Sequence, residues 1–225
     1  MAEMAIGYGS EFQLMRYLGH HRNYLFGIIA EAIGVKKESI EWLDYPVDEK
    51  RLSMDGEMKG IDCFKGMTKF KQIEENWKNF WPTTGNAQNW DGIFTADGIW
   101  YFVEAKAHTD EAFQQCGAKA DSSIQKIKEA FEATCGDKCK AEKWIKSDCY
   151  QLANRLAFLK FCEKNEIEAK LCYISFLNGF KRTPKLNVSS IDEWEDVWKK
   201  EYEELGLDEE LKGKIMHVYI DCTKG

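Results

Sequence analysis

The chain has 225 residues, 44% of them hydrophobic and 31% charged, with a net charge of −7. That composition supports a sizeable core and excludes a disordered chain, while the acidic balance gives no global signature of nucleic-acid binding; local basic patches can still bind phosphate on an acidic protein. No apolar run approaches the ~20 residues that span a bilayer, and the N-terminus lacks a basic-then-apolar leader, so a cytoplasmic protein without a membrane partner is expected.

In chain order, Ser10 reads as the N-cap of a helix starting at Glu11. Phe12, Leu14, Met15, Leu18, Leu25, Ile28, Ile29 and Ile33 recur near helical spacing, Gly19 is the expected bend, and Gly34 ends the segment. Ile40 to Val47 reads as a strand, confined by Pro46 to an edge or a strand end. Residues of about 50–66 are irregular and Gly-containing, and read as an insertion. Thr68 to Phe80 follows as a helix with Phe70, Ile73, Trp77 and Phe80 on one side, stopped by Pro82 to Gly85.

The strongest local signal is Gln88 to His108, where two runs rich in aromatic and β-branched residues flank Asp97-Gly98. An Asp-Gly pair between such runs marks a two-residue hairpin, because both turn positions need positive φ. With Ala96 closing against Ile99, Asp91 falls opposite Glu104, and Lys106 lies one step along the same face. Facing carboxylates repel, so a positive group is expected between them: Lys106, a metal ion, or both. A longer turn or a bulge would shift that register.

Beyond the hairpin, Asp121 or Ser122 caps a helix through Ile124, Ile127, Ala130 and Phe131 that Gly136 closes, and a longer helix covers Ala141 to Lys164. Ala169 to Leu177 is mostly apolar, as in a strand covered on both faces. Ser189-Ser190 caps a helix carrying Trp194, Val197, Trp198 and Tyr202, and Ile215 to Cys222 forms the last strand. The order implies one α/β domain with a mixed central sheet and helices on its faces. Most of the eight cysteines read as buried small hydrophobes or free thiols rather than a disulfide scaffold. Cys135 and Cys139 lack a second pair or a nearby histidine to complete a zinc set.

Asp91, Trp90 before it, and Glu104-Ala105-Lys106 thirteen residues on resemble the core motif of the PD-(D/E)XK nuclease superfamily, with Trp90 where the family name has proline. Glu11 is similar to the acidic residue that many members carry on the preceding helix, with Glu31 as the other choice. Gln151, Asn154 and Arg155 are similar to polar groups on the helix after the Lys strand. The stretches SEFQLMRYLGHHR and QLANRLAFL resemble uncharacterised bacterial members. The resemblance covers about residues 10–180 and leaves about 185–225 as a C-terminal helix–strand extension.

It implies a three-layer α/β/α restriction-endonuclease-like core and a metal-dependent hydrolase of phosphodiester bonds in DNA, less so RNA. Asp91, Glu104 and Glu11 would bind Mg²⁺, with Mn²⁺ as substitute, Lys106 would assist the nucleophile, and Gln151, Asn154 and Arg155 would hold phosphate; a dimer is compatible. The other reading is an inactive nuclease-fold protein that binds nucleic acid or protein. On that reading the Asp–Glu–Lys group is an ion-pair network, and Glu11 is a first-turn residue favoured by the helix dipole. His20, His21 and His108 could reach a phosphate, and Trp194 and Trp198, four residues apart, read as core packing.

Overall fold

The computed structural model describes residues 9–44, 58–83, 87–136, 140–179 and 188–224. Residues 45–47 of the expected strand at 40–47 and residues 50–57 of the expected insertion therefore lie outside the described residues.

A five-stranded mixed sheet organises the chain, built from β1 (Glu41–Trp42), β4 (Gly92–Ala96), β5 (Ile99–Lys106), β6 (Ala169–Leu177) and β7 (Ile215–Asp221), in that spatial order. β1 and β5 are antiparallel to β4, whereas β5, β6 and β7 run parallel. The hairpin turn is as the sequence requires: Ala96 pairs with Ile99, and Asp97 and Gly98 take φ of 51° and 84°. A second ribbon joins β2 (Met58–Lys59) to β3 (Asn89–Trp90).

Side-chain alternation divides the sheet into two dissimilar faces. Tyr101, Val103 and Ala105 of β5, with Cys172, Ile174 and Phe176 of β6, pack beneath α1 (Ser10–His20) and α2 (Arg22–Ile33). The helix expected from Ser10 to Gly34 breaks at His21 rather than bending at Gly19, and it ends at Gly34 in the left-handed conformation. Trp100, Phe102 and Tyr173 point the other way, toward α3 (Phe70–Phe80), α4 (Asp121–Cys135), α5 (Ala141–Lys146), α6 (Tyr150–Lys164) and α7 (Ile191–Leu205). α8 (Glu209–Lys212) leads into β7. The result is three layers, with helices on both faces of the sheet. No helix among the described residues is long and apolar enough to cross a membrane.

Two local features position the side chains that matter below. The helix expected over Ala141 to Lys164 is two helices. Between them, Tyr150 N–H donates to Gln114 O at 3.1 Å and Gln114 N–H donates to Asp148 O at 2.5 Å, which fixes where α6 begins. α6 then runs buried from Leu152 to Leu159, Asn154 and Arg155 included, because the sheet and the helices around it cover it together. The second feature is Gly92, where an added Cβ would lie 2.4 Å from the Trp42 ring, so only glycine lets β1 approach β4 at this point.

Cys135 is disulfide-bonded, while Cys63, Cys116, Cys149, Cys162, Cys172 and Cys222 are free, in line with the expectation that most of the cysteines are thiols.

Candidate active site

The hairpin ladder ends at Gly92 opposite Val103, one residue short of the expected pairing of Asp91 with Glu104. Asp91 N–H nevertheless donates to Val103 O at 3.2 Å. Two residues thus face one, the arrangement of a β-bulge, and the chain turns away toward β3. β5 continues alone on that side, leaving the Ala105 N–H without a ladder partner. The Asp91 carboxylate takes it, with Oδ2 accepting from Ala105 N at 2.8 Å. Asp91 is therefore held to the backbone between Glu104 and Lys106 rather than facing Glu104 squarely.

Glu104 and Lys106 share the face that points toward α6 and α7, and they are 2% and 4% exposed. The Lys106 ammonium lies 3.4 Å from Glu104 Oε2, while Arg155 Nε donates to Glu104 Oε1. Arg155 is 7% exposed and anchored from several sides. It donates to Asn89 O at 3.0 Å and to Asn154 Oδ1 at 3.4 Å, and its guanidinium stacks 4.7 Å from the centre of the Trp90 ring. A planar fork that also stacks suits arginine where lysine would not serve. Gln151, one helical turn before Arg155, has a buried Oε1 with no hydrogen-bond partner.

Asp91 keeps an exposed surface. Its carboxyl group still lies against dense protein, and its pKa is pushed up to about 7, first by desolvation and then by the charge of Glu104, with Lys106, the Ala105 N–H and Arg155 pulling the other way. The exposed edge and the strong desolvation disagree in degree. The upward direction holds because the repulsion from Glu104 remains even where water reaches the edge.

Of the residues expected from sequence, Asp91, Glu104, Lys106, Asn154 and Arg155 come together. Glu11 lies exposed in the first turn of α1, so the sheet stands between its helix and the face carrying Glu104. Joining the cluster would require it to reach round the ends of the strands. Trp194 and Trp198 are core residues, as expected.

Two residues belong here that the sequence reading passed over. Ser175, the ladder partner of Lys106, is fully buried with its Oγ unpartnered. Glu201 of α7 is fully buried, with neither carboxylate oxygen hydrogen-bonded among the described residues. Its pKa is pushed up to about 8, first by desolvation, with Lys106 opposing and Glu104 adding to the rise. A glutamate between Lys200 and Tyr202 in an acidic helix looks like a solvated face; the one available signal was that Trp194, Trp198 and Glu201 share a stripe at helical spacing.

The whole group sits where β5 ends and α6 begins, the end of a parallel sheet at which open α/β folds generally place ligands. Among the described residues, no group of three or more His, Cys, Asp or Glu side chains is arranged to hold a metal ion. Comparison with family models, with curated proteins and with solved structures gives no match.

Proposed function

We propose that this chain is a metal-dependent phosphodiesterase acting on nucleic acid, DNA before RNA. The observation that carries this reading is the convergence of Asp91, Glu104 and Lys106 on a bulged hairpin end, with Arg155 behind them on a buried helix. The same convergence supports the resemblance to the PD-(D/E)XK superfamily.

The donor set suits a hard cation that takes one or two carboxylates and retains several waters, which is the behaviour of Mg²⁺. Asp91 and Glu104 would hold it: the charge of Glu104 raises the cost of ionising Asp91, and a cation held by both would offset that cost. When bound, such an ion supplies an activated water and stabilises charge on a phosphoryl oxygen. Lys106 contributes a point charge to orient the attacking water or stabilise the crowded phosphate. Arg155 keeps Glu104 in place through Nε, and Gln151, one helical turn before Arg155, offers a buried Oε1 with no partner among the described residues.

The test is cleavage of plasmid, single-stranded DNA and RNA with Mg²⁺ or Mn²⁺. Lys106→Ala should lower the rate by roughly 10²-fold or more, as expected for loss of a group that acts in the transition state. Equal rates in wild type and Lys106→Ala would reject the assigned role.

One observation favours a second reading. Both Glu104 oxygens already face cations, Arg155 and Lys106, so the pair is neutralised without a metal. On that reading the fold is retained as a binding module. Absence of calorimetric heat with Mn²⁺, together with no cleavage of any substrate, would establish it.

A further inference from the structure

Glu201 presents a problem that packing does not solve. An ionised carboxylate with no hydrogen bond in a protein interior costs several kcal/mol, and a buried glutamine or methionine would fill the same space. Its surroundings show what it faces. α7 is pinned to the sheet by the Trp194 indole, which donates to Phe176 O at 3.1 Å, and by Trp198, which stacks on Tyr173 at 4.3 Å. Tyr173 is the ladder partner of Glu104, and the next residue but one on each strand gives the pair Lys106 and Ser175. Glu201 follows Trp198 by three residues and so lies on the same side of α7, one turn along. Of the charges acting on Glu201, Lys106 is the strongest.

Lys106 has three N–H donors, and its one hydrogen bond among the described residues is the 3.4 Å contact to Glu104. Glu104 is meanwhile committed to Arg155, and on the proposed function it would also serve a metal ion. A cation taking Glu104 would leave the Lys106 ammonium buried beside fewer acceptors. Glu201 and the Ser175 hydroxyl, both unpartnered and both on this face, supply what is lacking.

We propose that Glu201 is the positioning residue of Lys106, a buried counter-charge from the C-terminal helix that, with Ser175, holds the ammonium in place while Glu104 is engaged elsewhere. This rests on the nuclease reading for its purpose but not for its geometry. It also gives the C-terminal segment a part in the site, where the resemblance leaves it as an extension.

Two measurements on the full chain separate the pairing from the activity. The first is a double-mutant cycle in urea at about pH 9, above the folded value of Glu201 so that its carboxylate is ionised, with wild type, Glu201→Gln, Lys106→Met and the combination. If the two side chains form a pair, Glu201→Gln shifts the unfolding midpoint more favourably in the Lys106→Met background, where the carboxylate has lost its counter-charge, than in wild type. Equal shifts in both backgrounds overturn the pairing, whether or not any DNA is cleaved. Should either variant fail to fold, Glu201→Met and Lys106→Gln, which also remove one charge each, carry the same cycle. The second measurement is turnover: Glu201→Gln should lower kcat about 10-fold or more, the scale seen when an orienting partner is lost, with KM for DNA unchanged and with Glu201→Asp recovering most of the loss. An unchanged kcat overturns the positioning role. A coupled cycle in a protein that cleaves nothing, wild type included, would sink the nuclease reading while upholding the pairing.

Discussion

Arg155 is the residue whose removal the structure judges most severely. In Arg155→Met, the buried Glu104 carboxylate loses the guanidinium at Oε1 and keeps only the 3.4 Å contact with Lys106. Asn89 O loses its 3.0 Å donor, and Trp90 loses the cation stacked 4.7 Å from its ring centre. Removing one member of a buried ion pair costs about 3–5 kcal/mol, chiefly because the other charge is stranded. The Asn89 and Trp90 losses fall within that range rather than adding to it, since all three are consequences of one side chain leaving. For a chain of this size each kcal/mol moves the melting temperature by roughly 2–4 °C, so a fall of about 6–20 °C is expected. Thermal and urea unfolding followed by circular dichroism at neutral pH would measure it. The companion variant Glu104→Gln/Arg155→Met no longer carries the stranded charge and should recover more than half of the loss. A single variant within about 1 kcal/mol of wild type, or a double variant no more stable than the single, would refute the assignment of Glu104 and Arg155 as an interdependent buried pair.

Gly92→Ala would place a methyl group 2.4 Å from the Trp42 ring, and the forced shift of β1 should cost about 1–3 kcal/mol in urea unfolding; Trp42→Leu in the same chain should return part of it. The raised pKa values of Asp91, about 7, and Glu201, about 8, give stability a definite pH dependence. Each folded carboxyl retains a proton that the unfolded chain releases near pH 4, so the stability it contributes is full at low pH and is lost as pH rises through the folded value. The stability of wild type relative to Asp91→Asn should therefore fall from about pH 4 to 7; a pH-independent difference between the two proteins would contradict the raised value.

The sequence made the hairpin legible because its signals were local. Asp97-Gly98 has only one good turn to make, and alternation then puts Glu104 and Lys106 on one face whatever lies around them. What it could not show was the end of the ladder. Whether Asp91 pairs across or bulges depends on where β3 is drawn, and β3 answers to β2, a partner some thirty residues earlier. Gly92 carried that information only once Trp42 was seen lying over it. The break between α5 and α6 was hidden for a similar reason: Gln114, far back in the chain, captures the backbone on both sides of Cys149. Arg155 was visible as a helix position but not as a buried one, because a helix covered on every side has no polar face to announce it. Glu201 was the least legible of all, an acidic residue in an acidic helix, and only the tertiary packing of Trp194 and Trp198 turns it inward.

The charges of the cluster do not balance, and that imbalance orders what can bind. Asp91, Glu104 and Glu201 are three carboxylates set against two fixed cations, Lys106 and Arg155, so full ionisation would leave one negative charge in a poorly hydrated place. The chain can relieve this in two ways. A carboxyl can keep its proton, which is what the raised values of Asp91 and Glu201 express, or a cation can take the proton's place. The two are mutually exclusive at the same oxygen, so an ion entering at Asp91 must displace a proton, and its affinity must grow as pH rises toward 7. On the proposed function the same surplus would bear on the substrate. A phosphodiester approaching the proton-free cluster meets net negative charge, and Lys106 and Arg155 are already engaged with Glu104. On the proposed function a divalent ion would reverse the sign of the site and free the lysine from Glu104 for Glu201 and the phosphate to share. On the proposed function the ion would bind before the nucleic acid, an order set by electrostatics.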